Sequence, residues 1–188
     1  APQPINPGHY GQICCRRPRQ RCGIQLNNCI DFCVEDVRII GDGKGMNNCI
    51  TDGITCSFPN STGVFKHVVV SGLSKPGIYI ADGHDIRIEG CGVTGGYATR
   101  VLLGTEPLRV PGISIGNAAN VIVANCQAHH NTGAGLHIAS LGTTPPKPYH
   151  DLQVIGGQFH NNGTNGIVTG TSAAGVRGSG LQIVGANC

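Results

Sequence analysis

The sequence predicts an all-β chain wound as a right-handed, single-stranded parallel β-helix, a solenoid of about six rungs with three short strands per rung. Three observations carry that prediction. A segment opening Gly-Ile or Gly-Leu recurs along the chain, an aliphatic segment of alternating pattern follows each recurrence, and residues 121–136 align with 152–167 without a gap. Composition agrees. Glycine supplies 30 of 188 residues, charged residues are 12% against about 25% in ordinary domains, and 39% hydrophobic residues exclude a disordered chain.

The first strand of each unit opens at GIQL (23), GITC (53), GIYI (77), GISI (112), GLHI (135) and GIVT (166), so the unit length varies with its loops. The second strand is read as DVRII from Asp36, HVVVS from His67, DIRIE from Asp85, NVIVA from Asn120, DLQVI from Asp151 and GLQIV from Gly180. Period-two alternation then stacks Val37, Val68, Ile86, Val121, Leu152 and Leu181 in one inward column. Ile39, Val70, Ile88, Val123, Val154 and Ile183 form the next. A third strand places Val93, Ala128, Phe159 and Cys188 inward, with Cys91 and Cys126 coinciding one position earlier. Equivalent residues recur with one polarity, as parallel stacking at about 4.8 Å per rung requires. Asn131 and Asn162 are expected to stack at a turn as an amide ladder.

Residues 1–22, rich in Pro, Arg and Cys, read as a leader or cap, and 23–188 as the β-helix, expected to be part of a longer chain. Four excursions leave the minimal coil. Those at 57–66, 140–150 and 171–179 are placed on one edge, between first and second strands, and that at 97–111 on the other side. The C-terminal rung has no polar cap, which suggests that further rungs or another chain cover it.

A formal charge of +3 is too small to argue for nucleic acid, and no apolar run reaches the roughly 18 residues of a membrane helix. Neither partner is expected. Ten cysteines suggest an oxidising, extracellular setting, and their spacing favours disulfides or buried thiols over a zinc site. Cys91 and Cys126 face inward on adjacent rungs, within the window of about 4.4–6.8 Å between Cα atoms of a disulfide. Stacked free thiols fit equally.

The pattern GI…DI.I..C.....N....G resembles the parallel β-helix repeat of the pectate-lyase-like superfamily, over residues 23–188. That superfamily includes pectin lyases, polygalacturonases, alginate epimerases and bacteriophage tailspikes. The resemblance implies a polysaccharide or cell-surface glycan as partner, and its glycosidases need two carboxylates about 5–9.5 Å apart. The best local candidates for catalysis are Asp82, His84 and Arg87. Asp85, beside them, recurs in a column with Asp36, Asn120 and Asp151 and reads as a turn-former, while Asp82 is matched by Asn117. The NTD, paired Asp-Asp, GHG and RIK set of polygalacturonases is not present, and with ten acidic residues a metal-dependent lyase has little to work with. No cofactor is expected.

The outward column of the first strand reads Gln25, Thr55, Tyr79, Ser114, His137, Val168. Tyr79, Ser114 and His137, with Arg100 and Arg109 from the 97–111 excursion, are the candidate substrate-binding residues, because hydroxyl, imidazole and phenol groups can orient a sugar. His129 and His160 should stack about 5 Å apart with His130 beside them, and are read first as an exposed polar ladder. The reading of the whole is an extracellular or virion-associated β-helix, tailspike-like, trimeric or in a larger assembly, whose loops meet a glycan. A secreted polysaccharide lyase or glycoside hydrolase is the alternative, and a purely structural rod the third.

Overall fold

The protein is described from a computed structural model, which places residues 12–13, 22–41, 52–57, 59, 61–96, 109–140, 149–171 and 178–188. Every described strand pairs in parallel, and the strands wind as a solenoid. β1 (Gln12–Ile13) precedes a turn made of β2 (Cys22–Leu26), β3 (Phe32–Glu35) and β4 (Arg38–Ile40). The next turn repeats this with β5 (Asp52–Cys56), β6 (Gly63–Lys66) and β7 (Val69–Ser71). In the following two turns one bent strand serves two faces: β8 (Ile78–Glu89) is followed by β9 (Gly92–Thr94), and β10 (Ile113–Ala124) by β11 (Gln127–His129). β12 (Leu136–Ser140), β13 (His150–Ile155), β14 (Ile167–Thr171) and β15 (Gln182–Val184) complete the order.

The first face stacks six strands in the order β14-β12-β10-β8-β5-β2. From β2 through β11, four turns carry a strand on all three faces, and the last two close the third face with single bridges at Gln158 and Asn187. The inward column of the first face runs Ile24, Ile54, Ile78, Ile113, Leu136, Ile167, as its alternation requires. Ile54, Ile78, Ile113 and Leu136 are fully buried. Full burial of one such side chain contributes roughly 1.5–3 kcal/mol, and the columns make one continuous core along the axis.

The second face corrects the sequence reading at its start. In the first two described turns that face is formed by β3 and β6, so Val34 and Phe65 stack on Ile88, Val123, Val154 and Ile183. The segments from Asp36 and His67 belong instead to the next corner and the third face, where Ile39 and Val70 lie on Val93 and Ala128. Val37 and Val68 thus share a column with Cys91 and Cys126, not with Ile86. The stretch read as a loop over 57–66 gives up residues 63–66 to β6. The cause is that the first and second corners are turned by the same device in most turns. Asp31, Asp85, Asn120 and Asp151 take φ of 51–55° at the first corner, and Asp36, His67, Gly90, Asn125, Gly156 and Gly185 take 51–65° at the second. Asp and Asn tolerate that left-handed conformation, so an Asp before an alternating strand marks a corner without saying which.

At the third corner the expected amide ladder is present. Asn131 Nδ2 donates to Asn162 Oδ1 at 3.0 Å, and Asn162 Nδ2 donates to the Ala128 carbonyl at 2.9 Å. The buried Asn131 Oδ1 accepts from the Gly96 N–H at 3.0 Å. The ladder satisfies backbone groups that the bend takes out of the sheet. Glycine opens each first-face strand here because the turns approach too closely for a side chain: a Cβ on Gly53 would lie 2.2 Å from the Gly77 carbonyl oxygen. Inside, Cys91 and Cys126 are buried free thiols on adjacent turns, Cys126 Sγ donating to the Ile88 carbonyl at 3.4 Å. The Cys91 sulfur beside it, together with burial, pushes the Cys126 thiol far up, so it stays protonated.

Candidate functional site

Alternation that points Ile78, Ile113 and Leu136 inward points their neighbours outward. The register aligns Gln25, Thr55, Tyr79, Ser114, His137 and Val168 in one straight outward column, one residue per turn. Flat parallel pairing over six strands makes this a polar strip rather than a pit. Tyr79 is half-buried, and burial followed by the nearby Asp52 carboxylate raises its phenol above the ordinary range. It therefore stays protonated and can donate. Asp52, itself 8% exposed, faces Lys75 Nζ at 3.3 Å. Ser114 is nearly covered, and burial lowers the His137 imidazole, which is then neutral at pH 7.

At one end of the strip a groove of about 340 Å³ opens between the third corner and the first face. His137 and Val168 form its floor on the strip, Thr164 and Asn165 come from the corner, and the exposed Arg109 borders it. Four of the five residues read from the sequence as substrate-binding, Tyr79, Ser114, His137 and Arg109, thus lie on or beside one surface. Arg100 falls outside the described residues. Thr164 and Asn165 went unread because they sit in a corner whose glycines and asparagines signalled only a turn.

Asp82, His84 and Arg87 do not form a single constellation. They are spread along bent β8, with Asp82 at the end of its first-face half opposite Asn117, His84 at the corner and Arg87 on the second face. Each is engaged separately. Asp82 Oδ1 accepts from the Gly83 N–H at 2.9 Å, His84 Nδ1 meets Asp85 Oδ2 at 2.7 Å, and Arg87 Nε donates to Glu89 Oε2 at 2.9 Å. Asp85 also accepts from Asn120 Nδ2. The His84 contact first, then that of Asn120, hold the Asp85 carboxyl below the usual carboxylate range.

A second groove, of about 430 Å³, runs along this corner between Asp31, Thr62 and Asp85 on one side and Cys33, Val64 and Arg87 on the other. The pairing of β3 with β6 and of β6 with β8 aligns Asp31 and Thr62 with Asp85. Their column places the Asp31 and Asp85 backbones two turns, about 9.6 Å, apart. Among the described residues no three His, Cys, Asp or Glu side chains converge as a metal-binding group.

A three-faced parallel coil with a straight polar strip along one face defines the class: a β-solenoid whose rigid sheet presents side chains at a fixed interval. The chain belongs to the right handed beta helix family, whose model matches residues 17–181. No curated protein and no solved structure matches it.

Proposed function

We propose that this β-helix recognises a polysaccharide or cell-surface glycan along its first face, as part of an extracellular or virion-associated protein resembling a tailspike or fibre. The observation that carries the reading is the straight outward column of Thr55, Tyr79, Ser114 and His137 leading into the groove beside Arg109. A glycan is an extended repeat, and a strip with one donor or acceptor about every 4.8 Å offers successive sugars equivalent contacts. The half-buried Tyr79 ring supplies an apolar face for a pyranose, and Arg109 suits the carboxylate of an acidic sugar. Three such rods side by side would bury faces that a single rod leaves wet, hence the trimer.

The test is a titration of the protein with neutral and uronate-containing polysaccharides. Tyr79→Ala and Arg109→Ala should each weaken binding about tenfold, or ~1.4 kcal/mol, with Arg109→Ala selective for the acidic polymers. Unchanged affinity in both variants would remove the first face from recognition. A lyase or hydrolase reading is favoured by one feature, the Asp31 and Asp85 side chains lining one groove from backbones about 9.6 Å apart, a separation from which two carboxyl groups can reach the roughly 6.5–9.5 Å of inverting glycosidases. Cleavage of the same polymers, abolished by Asp85→Asn but not by Tyr79→Ala, would select it. Neither binding nor cleavage would leave a structural rod.

A further inference from the structure

The third face carries a side-chain cluster that neither groove uses. His129 ends β11, and His130 turns the third corner with φ 56°, at the position taken by Gly95 one turn before and Asn161 one turn after. His160, on the next turn, stacks on His129 with ring centroids 5.4 Å apart and planes 7° from parallel. The His130 ring meets His129 edge-on at 5.0 Å and 83°, and the two Nδ1 atoms are 2.8 Å apart. That distance requires one ring to donate a proton to the lone pair of the other, so at least one imidazole is neutral. Thr94 Oγ1 lies 3.3 Å from the same His129 nitrogen.

We propose that His129 and His130 form a two-nitrogen chelate for a divalent transition-metal ion of square-planar or octahedral preference, of the class of Cu(II) or Ni(II). The separation of the nitrogens, held in the metal-free protein by the hydrogen bond between them, fits that class. With metal–nitrogen bonds of about 2.0–2.1 Å, nitrogens 2.8 Å apart subtend about 86° at the metal, close to a cis right angle. Tetrahedral zinc would need them about 3.3–3.4 Å apart. His160 cannot share the metal, because its ring plane is parallel to that of His129 and offset from it. It acts as a positioning residue that holds the His129 ring. Solvent fills the remaining coordination positions, and loading the site displaces the proton that joins the two nitrogens.

The full chain is titrated calorimetrically with CuCl2, NiCl2 and ZnCl2, and the copper complex is read by electron paramagnetic resonance. Since copper, and ordinarily nickel, exceed zinc at nitrogen sites, the nitrogen coupling in the copper spectrum and its change in a variant are the discriminating readouts. The expected result is nickel binding about tenfold or more tighter than zinc, with a copper spectrum coupled to two nitrogens. His130→Asn places at this corner the residue that Asn161 shows to be accommodated, so it should fold. It should lower copper affinity by about tenfold or more and remove one nitrogen coupling. His160→Gln should keep both nitrogens. Identical isotherms and spectra for wild type and His130→Asn, or zinc binding as tightly as nickel, would overturn the assignment.

Discussion

Asp85 combines two duties that a sequence presents as rivals. Its φ of 52° makes it the turn residue of the first corner, as its recurrence with Asn120 and Asp151 implies, while its carboxylate accepts from His84 and Asn120 at the rim of a groove. Because those partners hold its folded pKa below the unfolded one, the stabilisation is present above the ordinary carboxylate range. It is lost as pH falls through the lower folded value. Asp85→Asn keeps a side chain that tolerates the left-handed backbone. The variant should therefore melt below wild type at neutral pH and converge with it in acid. Melting curves across pH measure this, and a difference independent of pH would exclude the carboxylate as its source. At this scale much was legible. Recurring Asp and Asn residues marked corners, the Asn131–Asn162 ladder was visible from alignment, and His129 and His160 do stack. The grouping of Asp82, His84 and Arg87 was not, because proximity along a strand that bends through a corner sends neighbours to different faces.

The elements were legible in proportion to how distinctive their openings are. Each first-face strand begins with a glycine forced by close approach of the next turn, and that mark fixed the register of all six. The second and third faces share an identical signature, a left-handed residue followed by alternating aliphatics. In the first two described turns the segment from Asp36 or His67 therefore reads as the second face, whereas β3 and β6 hold that place. Phe65 is consequently a fully buried core residue rather than a loop residue, and the partly buried Phe32 packs against it with ring centroids 4.8 Å apart. Phe65→Ala should cost about 3–5 kcal/mol, as for other fully buried aromatic truncations. Denaturant unfolding measures it. A loss under about 1 kcal/mol, ordinary for a surface loop, would return 63–66 to an excursion.

At the scale of the whole molecule, the coil converts a one-dimensional repeat into a ruler. Each turn contacts only its neighbours, so stability accumulates turn by turn and the outward residues inherit the spacing of the sheet. The proposed glycan strip and histidine chelate depend on that regularity, one through its period and the other through a fixed corner. The most direct measurement is a set of distances from one label at Gln25 to a second at Ser114, His137 or Val168, attached through bio-orthogonal side chains and read by pulsed electron resonance. These positions lie three, four and five turns away in one column. The account predicts backbone separations of about 14, 19 and 24 Å, rising by one strand spacing per turn. Separations that fail to rise in equal steps, or that place Val168 nearer to Gln25 than Ser114, would contradict a parallel coil in this register.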